Sequence, residues 1–118
     1  MQAENPLLKK SYDFALKIIK LYKSIIHANK EYILSKQLLR SGTSIGANIS
    51  EANGAISNAD FSAKISIAYK ESLELKYWLS LLKDSEYISK EIAHKLMVDA
   101  DELSKIMFSI LKTTKRTK

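Results

Sequence analysis

The residues best spaced for metal chemistry are Glu91 and His94, in the run Glu91-Ile92-Ala93-His94. A carboxylate-bridged dimetal site in a helical protein needs two such Glu-x-x-His motifs and two further glutamates, each group on its own helix. His27 is the only other histidine, and the residue three before it is Ser24 rather than a glutamate. Half of the site is missing, so no metal and no cofactor is expected, and His94 reads as a partly exposed surface histidine. Nucleophilic catalysis needs a serine or cysteine beside a base. There is no cysteine, and both histidines fall near predicted helix ends. No glycine-rich phosphate loop occurs. The sequence therefore predicts a protein with no catalytic residues. Without cysteine there is no disulfide framework or thiolate zinc site, which fits a cytoplasmic setting. The opening run MQAENPLLKK carries an early acid and no apolar core, so it predicts no signal peptide. No uncharged apolar run approaches the ~20 residues that span a bilayer, so no membrane partner is expected.

Binding chemistry is better represented. The net charge is +6, with eight Lys/Arg against three acids in residues 1–40 and four against none in 112–118. Lys9, Lys10, Lys17, Lys20 and Lys23 recur on one arc of the first predicted helix. With Arg40 they are the candidate nucleic-acid-binding residues. Lysines of this kind bind phosphate in a salt-dependent way and do not read sequence. The competing reading is a solvated face. A second polar set, Gln37, Arg40, Ser44, Asn48 and Glu51, borders the core row of the second helix, and Glu71 and Glu74 border that of the third. Carboxylates that close to a core need a partner, and Arg40 or a lysine of a neighbouring helix is the candidate. Asn48, Glu51, Glu71 and Glu74 are thus expected in an inter-helix network.

These residues need helices to place them. Three glycines and one proline in 118 residues leave too few turn formers for an all-β fold. The pattern predicts a single all-α domain over 1–118, with helices at about 7–27, 36–53, 58–83 and 90–112. Asn5-Pro6 starts the first helix as N-cap and first residue. Leu8, Tyr12, Ala15, Ile19, Tyr22 and Ile26 are read as its core row, which makes the two tyrosines poor stacking platforms. Beside it runs a second row of Leu7, Phe14, Ile18, Leu21 and Ile25. Together they cover about half the helix, more than the ≳100° stripe one bundle needs. The second row is therefore assigned to a subunit interface, and Ile18 and Ile25 are its expected probes.

Ser35 is the expected N-cap of helix 2, and Asn53-Gly54 its left-handed C-cap. Leu38, Ser41, Ile45, Ile49 and Ala52 form its core row. Gly42 and Gly46 lie one turn apart, each costing a helix ~0.8–1 kcal/mol relative to alanine, so another backbone is expected to pass close there. Ser57 with Asp60 starts helix 3, whose row Phe61, Ile65, Ala68, Ser72, Leu75, Leu79 and Leu82 keeps a 4,3 rhythm suited to packing near 20°. Ser89 caps helix 4, with Glu91 in its first turn and a core row of Ala93, Leu96, Ala100, Leu103, Met107 and Ile110. The run from Leu111 is expected to fray.

The stretch from Ser41 to Gly54, SGTSIGANISEANG, resembles the signature of bacterial four-helix-bundle proteins. That family was first noticed as open reading frames in intervening sequences of 23S rRNA genes. Asp60-Phe61, Lys70-Glu71-Ser72-Leu73-Glu74 and Tyr77-Trp78-Leu79 extend the match downstream. Leu34-Ser35-Lys36-Gln37-Leu38-Leu39-Arg40-Ser41 extends it upstream. Gly46 stands where relatives often carry proline or another small residue. The resemblance implies an antiparallel up-down-up-down four-helix bundle that assembles as a ring, a homopentamer, with no enzymatic activity. A similar bundle serves diversity-generating retroelements as an accessory protein associated with nucleic acid. The expectation is a non-enzymatic homo-oligomeric scaffold that binds structured RNA through its basic surface. The alternative is a protein-binding adaptor with no nucleic-acid contact.

Overall fold

A computed structural model describes residues 5–116. Four helices follow in order: α1 (Pro6–Asn29), α2 (Leu34–Asn53), α3 (Asn58–Asp84) and α4 (Lys90–Arg116), and no strand occurs among the described residues. The short connections make successive helices antiparallel neighbours, and α4 closes back on α1. The result is the expected up-down-up-down four-helix bundle. All four predicted spans fall inside the observed ones. The tail departs from expectation: α4 runs through Leu111 to Arg116, and the Thr113 and Thr114 hydroxyls donate to the carbonyls of Ser109 and Ile110. Residues 117–118 of the expected frayed end lie outside the described residues.

The helix starts rest on side chains that accept the free N–H groups of the first turn. Asn5 accepts from Leu8 N–H at 3.1 Å, Ser57 from Asp60 N–H at 3.0 Å and Ser89 from Ile92 N–H at 3.1 Å. Helix α2 departs from the expectation that Ser35 caps it. The Glu31 carboxylate does so instead, accepting from Ile33 and Leu34 at 3.0 Å each and from Ser35 at 2.8 Å. Ser35 is already in the helix and turns its hydroxyl back to the Glu31 carbonyl at 2.6 Å. One carboxylate takes three donors, which a hydroxyl cannot. The end of α2 also differs. Gly54 has φ −105°, so it is no left-handed cap, and its N–H reaches the Glu51 carbonyl at 3.1 Å. Among the described residues the left-handed positions are Lys30 after α1, at φ 53°, and Glu86 after α3, at φ 67°.

The core rows of α2, α3 and α4 are buried as read, with Phe61 and Ile110 half-buried at their ends. On α1 the two rows exchange roles. Leu7, Phe14, Ile18, Leu21 and Ile25 are buried inside the single chain, and Ile18 has no exposed surface. The expectation that they form a subunit interface is therefore overturned. The reason is Ser11. It is fully buried and completes the seam 7, 11, 14, 18, 21, 25 in an unbroken 4,3 rhythm. Its hydroxyl is satisfied locally by the Leu8 carbonyl at 3.0 Å, so a polar residue sits in the seam at little cost.

The two glycines of α2 lie against this seam. A Cβ at Gly42 would come 2.8 Å from Ile18 Cγ2, and one at Gly46 would come 3.4 Å from the Ser11 carbonyl oxygen. Close approach of α1 is the physical reason for glycine at position 42, whereas position 46 has room for a methyl at ordinary contact distance.

Candidate functional site

The lysine row of α1 lies on the surface, as its spacing requires, but much of its charge is answered. Lys9 pairs with Asp13 at 3.0 Å along its own helix, Lys10 with Glu102 at 3.1 Å and Lys17 with Asp99 at 2.8 Å across to α4. The hydrogen bond and charge of Asp99 hold the Lys17 ammonium above the usual lysine range. Lys20 and Lys23 are exposed and have no acid partner among the described residues. Exposed pairs of this kind are worth only ~0–1 kcal/mol, so an incoming phosphate could displace the acids. They nevertheless lower the field of the row.

Arg40 is committed to the seam between α2 and α3. Its Nη1 lies 3.2 Å from Glu71 Oε1, its Nη2 donates to Glu74, and its Nε donates to Gln37 at 3.2 Å. The Trp78 indole N–H donates to Glu74 at 2.9 Å. The Trp78 hydrogen bond, then Arg40, hold the Glu74 carboxyl below the usual range, and Glu74 in turn raises Arg40. Glu51 reaches α3 through Lys64 at 2.8 Å. Asn48 makes a local bond instead, donating to the Ser44 carbonyl at 2.8 Å. Arg40, Glu71, Glu74 and Glu51 are thus gathered on one side of the bundle, on a different seam from the α1–α4 pairs.

Glu91 and His94 are both exposed, and no group of three or more ligating side chains occurs among the described residues. No helix of the described residues is long and apolar enough to cross a membrane.

The feature that sequence reasoning misplaced is an apolar groove of about 730 Å³ between α1 and α2. Leu8, Tyr12, Ala15 and Ile19 border it from α1, and Gly46 and Ala47 from α2. These α1 residues are the row read from the pattern as core. Tyr12 is 64% exposed, so its reading as a buried ring is also overturned. Ser11 was the signal that could have decided between the rows, because an apolar-only search skips a buried serine. Across the bundle, α3 carries apolar residues around much of its circumference. Leu73 and Tyr77 are exposed there, near a tilted Tyr69–Phe108 pair with centroids 5.9 Å apart.

Two comparisons agree with this architecture. The chain is similar to a crystallised protein of unknown function from the S23 ribosomal protein family of Bacteroides thetaiotaomicron. The two are 49% identical, the match covers 90% of this chain and 98% of that one, and the TM-score is 0.88. No curated protein matches. Residues 3–109 match the family described as 23S rRNA-intervening sequence protein. That span holds all of α1, α2 and α3, most of α4 and the whole Arg40–Glu71–Glu74 cluster, so the chain belongs to the 23S rRNA-intervening sequence protein family.

Proposed function

We propose that this chain is a non-enzymatic, cytoplasmic homo-oligomeric scaffold, a pentamer, that binds structured RNA through its basic surface. The observation that carries the assembly is the open α1–α2 groove with its row of Leu8, Tyr12, Ala15 and Ile19. Contiguous apolar surface of this kind is seldom left to water. A second apolar area lies across the bundle on α3 and α4, around Leu73, Tyr77 and Phe108. Two different patches on opposite sides suit a head-to-tail contact, the kind that closes into rings. The net charge of +6 and the rRNA-linked family support the polyanion. A ring multiplies a weak basic patch into useful avidity.

Lys20 and Lys23 are the open cations of the nominated row and contribute most. The test is a salt titration of binding to an RNA hairpin. Affinity falls linearly on a log–log plot, and Lys20→Glu with Lys23→Glu reduces the slope by about 1 per lysine that contacts phosphate. A flat salt dependence, or no binding at low salt, refutes the RNA reading. The ion pairing of Lys9, Lys10 and Lys17 favours a second reading, a protein-binding adaptor whose lysines serve solubility.

A further inference from the structure

Helices α1 and α4 meet along the least extensive of the four seams, and ion pairs lace only part of it. Lys10 to Glu102 and Lys17 to Asp99 are successive rungs between antiparallel helices. The next turn of α1 brings Lys20 and Ser24 to a groove shared with Ile92 and Lys95 of α4. There the ladder stops. Lys20 has no acid partner among the described residues, and Lys95 has Glu91 on its own helix at 3.8 Å. Lys20 and Lys95 therefore border an open groove of about 360 Å³, beside the paired Lys17 and Asp99. Its floor is Leu21, Leu96 and Ile92. Leu21 and Leu96 keep 8% and 7% of their surface exposed, and Ile92 keeps 43%.

We propose that this groove takes an acidic amphipathic helical segment of a protein partner. Its aliphatic side chains cover Leu21, Ile92 and Leu96, and its carboxylates supply the missing rungs to Lys20 and Lys95. Charge complementarity selects the occupant. Carboxylates brought between Lys20, which has no acid partner among the described residues, and Lys95, held only by the longer Glu91 pair at 3.8 Å, gain two attractive partners. The floor is aliphatic, with no aromatic ring to stack a base and no guanidinium to fork onto phosphate, which disfavours nucleic acid. From residue 17 to 24 the groove runs about 10 Å along α1. It is open along its length, so an acyl chain would lie largely in water, whereas small-ligand sites enclose most of their ligand. Two turns of an amphipathic helix present anchors at i, i+3 and i+4 over that span. The groove shares Lys20 with the lysine row of the RNA reading, but Lys95, Ile92 and Leu96 lie outside that row, so the inference does not rest on that reading.

The test is methyl NMR of the full chain, titrated with a synthetic helical peptide of leucine and glutamate repeats. A lysine-for-glutamate version of that peptide and an RNA hairpin are run in parallel. Saturable shifts at the methyls of Ile92 and Leu96 are expected with the acidic peptide alone, whereas Leu21, which neighbours Lys20, also reports RNA bound at that lysine. Lys95→Glu and Ile92→Asp should each weaken its binding about tenfold or more, the scale of one lost buried contact or reversed charge. Lys95→Glu exchanges the Lys95–Glu91 pair for a carboxylate opposite Lys20, so the fold of each variant is checked by helicity in parallel. Shifts mapping elsewhere would overturn the proposal. So would undiminished binding by Lys95→Glu, or equal shifts of the Ile92 and Leu96 methyls with the lysine peptide or the RNA.

Discussion

Glu31 governs how α2 begins, and its chemistry makes the α1–α2 connection sensitive to acid. Partial burial pushes its carboxyl upward, but the N–H groups of Leu34, Ser35 and Ile33 outweigh that and hold it below the ordinary range. Its folded value is thus lowered from that of an unfolded glutamate. The stabilisation is complete above that unfolded value and is lost as pH falls through the lowered folded one. Glu31→Ala should cost about 1 kcal/mol near pH 7, as for other lost N-caps. Parallel denaturation series should find the gap closing in strong acid. An equal gap at both pH values would mean that the carboxylate charge is not what caps the helix. Asn5, Ser57 and Ser89 were legible as caps because each acts three residues ahead, within the usual pattern. Glu31 was not, because Ser35 sat in the expected place and a carboxylate reaching forward over three residues leaves no such mark. The Arg40 cluster could be anticipated in part, since acids at 71 and 74 flank a buried seam and need a cation.

At the scale of the element, the rhythm of apolar residues predicted all four helices and the inward faces of three. It failed on α1 because that helix has two apolar rows, and periodicity alone does not rank them. Packing does: Ser11 and Ile18 face the glycines of α2, so the row containing them goes inward. Gly42 and Gly46 look equivalent in sequence but are not equivalent against α1. A methyl at Gly42 meets the fully buried Ile18, a β-branched side chain with no room to turn, at 2.8 Å, whereas one at Gly46 finds ordinary contact distance. Overpacking costs ~1–3 kcal/mol, against ~0.8–1 kcal/mol gained in helix propensity. Gly42→Ala should therefore melt below the parent and Gly46→Ala at or above it. Thermal melts in the reverse order would mean that α1 does not approach α2 as described.

For the whole molecule, the sequence carried the bundle and its family, but not which surface remains for partners. That surface is what is left after one chain has covered what it can. Ile18 and Ile25 are spent on the chain's own core, so a charge at either would unfold the subunit rather than separate subunits. The row of Leu8, Tyr12, Ala15 and Ile19 is what remains, beside a groove that the bundle does not fill. The most direct test of the assembly is the solution mass of the parent and of Ile19→Asp, read by light scattering with helicity checked in parallel. The parent is predicted at five times the 13.4 kDa chain mass, and Ile19→Asp at a smaller mass with its helices intact. A parent that stays at the single-chain mass, or an Ile19→Asp assembly of undiminished size, would contradict a ring built on this row.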